Sequence, residues 1–146
     1  MRYSEWFEDC FAEIEEEYDV RLSVVSDDEM ALIGGNYVLL FTVHHGAVYV
    51  SYLHRQSDGK IVELNIDRNF TETVEKCDYE DMPPKRSNVR EEVEDEILII
   101  ARCLMRRWSD LLKGEKAWMK DSERMKERVE VCAPCRQDGN FAAQHI

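Results

Sequence analysis

Tyr37 to Leu53 reads YVLLFTVHHGAVYVSYL, two apolar runs that meet at His45-Gly46. A two-residue turn there would set the register of an antiparallel hairpin. Tyr37, Leu39, Phe41 and Val43 would then share one face with Val48, Val50 and Tyr52, the most apolar surface in the chain. That face needs a cover, and the flanking sequence supplies one on each side. Upstream, Trp6, Phe7, Cys10, Phe11, Ile14 and Tyr18 recur at helical spacing behind Ser4, a candidate N-cap. Downstream, Val89, Val93, Ile97, Ile100, Ala101, Leu104, Trp108 and Leu111 hold the helical period for about six turns. Asn88, with Glu91 at its N3 position, marks the start of this second helix and Gly114 its end. At ~1.5 Å per residue it spans about 35 Å, enough to cross the sheet. Its acids in the first turns and its bases in the last complement the helix dipole.

Further strands surround the hairpin. Val20 to Val25 alternates apolar and polar, Ser26-Asp27-Asp28 supplies a turn, and Met30 to Ile33 follows. Beyond Asp58-Gly59, Lys60 to Ile66 points Val62, Leu64 and Ile66 inward. No connection is long enough for a crossover helix, which argues against a parallel sheet. The fold class is therefore α+β, a five-stranded antiparallel meander packed against an N-terminal helix and a long C-terminal helix. Phe70, Val74 and Cys77 suggest a ragged edge strand, DYEDMPPKRSN a loop, and residues 115–131 a further helix carrying Trp118, Met125 and Val129 along one side. This reading gives a single domain over 1–131 and a loosely ordered tail over 132–146.

The charge is uneven. The 146 residues carry 31 acids and 19 bases, a net of -12. Residues 1–96 hold 24 of the acids and 9 of the bases. Such a field repels nucleic acid and anionic membranes and speeds encounter with a basic protein. Five cysteines, an odd number, follow a charged, amphipathic start, MRYSEWFEDC, so the expected compartment is reducing and cytoplasmic. No apolar run reaches the ~20 residues of a membrane helix.

Motifs that carry chemistry are sparse. Cys132-Ala133-Pro134-Cys135 has the CxxC spacing of a metal or dithiol site, but no second CxxC or HxxxH completes a zinc set, and only Cys77, Cys103 and His145 remain as further ligands. His44 and His45 lie at the hairpin turn, while His54 follows the second strand about 20 Å away. No GxSxG elbow, Walker loop, dinucleotide fingerprint or HExxH is present. Catalytic carboxylates need an apolar pocket that raises one pKa, and the acids here cluster on expected solvent faces and turns. Neither catalysis nor a cofactor is expected.

What remains is an acidic surface on three connections: Glu13, Glu15, Glu16, Glu17 and Asp19; Asp27, Asp28 and Glu29; Asp78, Glu80 and Asp81. Carboxylates so placed can dock in a basic groove, with Tyr3, Trp6, Tyr18 and Tyr49 as candidate anchors. With its first helix, the meander YVLLFTVHHGAVYVSYL, the strand DGKIVELNI and the long closing helix, the chain resembles in layout, over residues 4–112, the small acidic immunity proteins of bacterial toxin and contact-dependent inhibition systems. The resemblance implies a cytoplasmic protein that binds and blocks a cognate toxin domain, often a nuclease, without catalysis or cofactor. The alternative is an acidic nucleic-acid mimic or regulatory adaptor, of the anti-restriction or anti-CRISPR type, that binds a basic protein. A metal or redox module using Cys132 and Cys135 is the third reading.

Overall fold

At the central turn His45 and Gly46 both take positive φ, 48° and 76°. Two left-handed residues in succession match the twist of an antiparallel pair, so β3 (Val38–His44) returns directly as β4 (Ala47–Arg55). Leu39 pairs with Tyr52, Phe41 with Val50 and Val43 with Val48, as the sequence predicts. The computed structural model describes residues 1–82, 88–121 and 128–130. Before the hairpin come α1 (Ser4–Tyr18), β1 (Arg21–Val24) and β2 (Glu29–Ile33). After it come β5 (Ile61–Asn65), α2 (Asp67–Thr73), a 3-10 turn (Lys76–Tyr79), α3 (Val89–Arg107), α4 (Ser109–Leu112), α5 (Trp118–Asp121) and β6 (Arg128–Glu130). Every strand pairs antiparallel with the next, in the order β1-β2-β3-β4-β5-β6. The expected five-stranded meander is present, extended by β6 on its β5 edge.

One face of the sheet meets the helices. Phe7, Phe11 and Ile14 of α1 and Val93, Ile97, Ile100 and Leu104 of α3 close over Leu39, Phe41, Val50 and Tyr52. The Phe41 ring lies 5.5 Å from Phe7 and 5.2 Å from Phe11, the second contact edge-on. The Arg90 guanidinium lies over the Tyr3 ring at 5.1 Å, and Trp6 Nε1 donates to the Glu94 carbonyl at 2.7 Å. Advancing along α1 therefore accompanies advancing along α3, so the two helices run parallel. Tyr3 is thereby buried in the core, and the half-buried Trp6 packs against it.

The start of α3 and the end of α4 both lie against hairpin turns. A Cβ built on Gly46 would lie 3.0 Å from Val89 Cγ1. At the other end Tyr37 Oη donates to the Leu112 carbonyl at 2.9 Å, and Asn36 Nδ2 to that of Gly114 at 3.0 Å. The Asn88 side chain accepts from Glu91 N at 2.8 Å, the predicted cap.

Four local expectations are corrected. The long helix breaks at Trp108 (φ -113°, ψ 26°), so α3 stops at Arg107 and α4 resumes for one turn. The expected edge strand near Phe70 is instead α2 and the 3-10 turn, because Ile66, Phe70 and Val74 repeat at four-residue spacing and all face the core. Among the described residues of 115–131, Trp118–Asp121 form the single turn of α5 and Arg128–Glu130 form β6, so the segment is not one continuous helix. Ser4 lies inside α1, its hydroxyl donating to the Met1 carbonyl at 3.2 Å, and does not cap it. The tail 132–146, with Cys132 and Cys135, lies outside the described residues.

The Tyr37 ring occupies the space where Gly34 would carry a Cβ. Since the ring is buried and its hydroxyl bonded, it has nowhere to go. Gly34→Ala is expected to cost about 1–3 kcal/mol of overpacking. Gly35→Ala, which meets nothing within 4 Å, should stay within about 0.5 kcal/mol of the parent in urea unfolding.

Candidate functional site

The helical period that turns Phe7, Phe11 and Ile14 inward turns Glu5, Glu8, Asp9, Glu13, Glu16 and Glu17 outward, all exposed. From Glu5 to Glu17 the row runs about 18 Å along α1. None of the six joins a salt bridge among the described residues. Several stand three or four apart, where like charges weaken a helix by about 0.2–0.5 kcal/mol per pair. The last turn holds acids and no base, against the preference set by the helix dipole. Asp19 then caps the helix in the left-handed region (φ 52°, ψ 47°) and is itself exposed. Glu15 is half-buried and accepts from Leu22 N at 3.3 Å, tying α1 to β1.

The other two predicted clusters lie elsewhere. Asp27, Asp28 and Glu29 sit at the other end of β1 from Asp19, where the Asp28 carbonyl accepts from Val43 N at 2.9 Å. Asp27 and Asp28 are exposed, whereas Glu29 is half-buried with its Oε1 accepting from Ser26 Oγ at 3.3 Å. Glu80 and Asp81 are exposed on a loop held to α3 by Arg102 Nη1, which donates to the Glu80 carbonyl at 2.8 Å. The three clusters stand on three different connections, after α1, between β1 and β2, and before α3.

Asp78 is removed from the candidate set. It is 2% exposed, and Arg106 grips it with Nε to Oδ1 at 3.1 Å and Nη2 to Oδ2 at 2.8 Å. The hydrogen bonds from Arg106 hold its carboxyl below the usual aspartate range despite burial. Arg106 also reaches the Thr73 carbonyl, so this pair fastens α2 and the 3-10 turn to α3. Of the candidate anchors, Tyr49 is 45% exposed and Tyr18 half-buried. The Cys10 thiol is pushed up to about 12, chiefly by burial, and is not a reactive group at neutral pH.

One site escaped the sequence reading. A cavity of about 260 Å³ opens between β4, α2 and α3, and Asp67 and Glu96 line it with Val50, Phe70, Val74 and Ile100. β4 begins at Ala47, but β5 pairs with it only from Ser51 onward. The N–H groups of Val48 and Val50 thus have no strand beside them, and carboxylates take their place. Glu96 Oε2 accepts from Val48 N at 3.3 Å, and Asp67 Oδ1 accepts from Val50 N. Burial raises both pKa values, against the lowering by these N–H groups, and Asp67 raises Glu96 further. The signal was Glu96 standing three and four residues before Ile99 and Ile100, on the buried side of a run otherwise explained by the helix dipole.

Among the described residues, no helix is long and apolar enough to cross a membrane, and no three metal-binding side chains converge. Searches against protein-family models, curated proteins and solved structures find no match to this chain.

The two kinds of buried acid have opposite linkage. Asp78, with its pKa lowered, stabilises the fold above the unfolded value near 3.9, and that stability is lost as pH falls through the folded value. Asp78→Ala should cost about 2–3 kcal/mol at pH 7, below the usual figure for a buried pair because Arg106 keeps some solvent contact. Glu96, with its pKa raised, is costly when ionised, and the cost is relieved as pH falls through its folded value. Glu96→Gln should therefore be more stable than the parent at pH 7, with the difference shrinking toward pH 4 in urea titrations.

Proposed function

We propose that this chain is a stoichiometric inhibitor that binds and neutralises a basic protein in the cytoplasm, as an immunity protein does with its cognate toxin domain. The carrying observation is the exposed carboxylate row on α1 from Glu5 to Glu17, unpaired and ending against the helix dipole. Folding does not use those charges and is weakened by them. A partner with a lysine- or arginine-lined groove would supply the missing countercharge, and the row would steer its approach. Asp19 continues the same surface, and the exposed Asp27, Asp28, Glu80 and Asp81 extend the negative field. Inhibition in this reading acts by occupancy, with no chemical step and no cofactor.

Charge reversal separates binding from folding. Glu16→Lys combined with Glu17→Lys is expected to abolish co-purification of a basic partner in equal proportion, and to abolish protection against that partner's activity. The same variant should unfold at higher urea than the parent, by about 0.5–1 kcal/mol, as a base in the last turn relieves the dipole conflict. Partner binding that survives the reversal would show that α1 is not the docking element.

A further inference from the structure

The cavity between β4, α2 and α3 contains something that capping two strand N–H groups does not require. A neutral asparagine or glutamine would accept the N–H groups of Val48 and Val50 without bringing a charge into apolar walls. Asp67 and Glu96 bring two. Neither joins an ion pair, and no base lines the cavity among the described residues. Val50, Phe70, Val74 and Ile100 provide the apolar wall, and Tyr79, 53% exposed, stands at the rim. A partly enclosed apolar pocket with a few convergent polar groups is the usual form of a small-molecule site. Ionised carboxylates held in such surroundings favour whatever cation enters with them.

We propose that this pocket binds a small organic cation, a primary ammonium group on an apolar body. The ammonium sits between the Asp67 and Glu96 carboxylates, and the body rests on Val50, Phe70 and Ile100. The volume of about 260 Å³ suits a ligand the size of an arylalkylamine. This site is separate from the α1 row and does not depend on the inhibitor reading.

The test uses the full chain and follows the backbone amide signals of Val48 and Val50 by NMR while 2-phenylethylamine, butylamine, 2-phenylethanol or 3-phenylpropionate is titrated in. The amines should shift both amides saturably, with 2-phenylethylamine binding more tightly than butylamine. The alcohol should bind at least tenfold more weakly, about 1.4 kcal/mol, and the carboxylate should not bind. Glu96→Gln and Asp67→Asn keep an acceptor for each strand N–H, so an otherwise unchanged amide spectrum verifies the fold, and each should weaken amine binding roughly tenfold. Equal binding of alcohol and amine, undiminished amine binding by both variants, or no saturable shift with either amine would overturn the proposal.

Discussion

Pairing of β3 with β4 in the register fixed by His45-Gly46 is the constraint on which the rest of the structure depends. A slip of one residue would turn Leu39, Phe41, Val50 and Tyr52 away from the helices. Apolar patterning alone does not forbid this everywhere, because Val38, Leu40 and Leu53 on the opposite face are also buried, with Ala31, Ile33 and Ile61. Near the turn the opposite face carries Thr42, His44, Tyr49 and Ser51, and there alternation is decisive. Turn chemistry and the polar half of the hairpin together select the register. Once it is set, Phe41 meets Phe7 and Phe11, Tyr37 reaches the Leu112 carbonyl, and the positions of α1 and α3 follow.

Long periodic segments were legible in the sequence for this reason. The inward residues of β5 and the two covering helices each carry one period, and the hairpin is marked by its turn and by the alternation beside it. Misreadings occurred where a short segment is defined by contacts rather than by its own pattern. Ile66, Phe70 and Val74 form too brief a series to separate helix from strand without knowing that α3 lies beside them. Trp108 fits the helical period, yet its Nε1 donates to Thr73 Oγ1 at 3.0 Å and its ring packs on Phe70, and the helix breaks where it does so.

The candidate site divides along the same line. Exposed acids on α1 follow directly from its amphipathic period, so the row could be read residue by residue. Asp78 could not be separated from Glu80 and Asp81, because only the fold brings Arg106, 28 positions later, against it. Asp67 and Glu96 were hidden for a related reason. Their environment arises from β4 outlasting β5 near the turn, a mismatch in strand length that no local sequence feature states. The carboxylates considered for a site thus differ in kind. One is buried and neutralised by a half-buried arginine, one is enclosed with strand N–H groups, and one is left unpaired on the outside of α1.

That third class carries the functional account, which holds that the free protein tolerates an uncompensated charge reserved for a partner. The most direct measurement is urea unfolding as sodium chloride is raised from low to about 0.5 M, where the Debye length falls to a few ångströms. The account predicts that screening stabilises the protein, because exposed acids repel one another more than they attract bases. A midpoint that falls with salt would mean that attractive pairs dominate the surface, and would contradict the claim that the α1 charges are free for a partner.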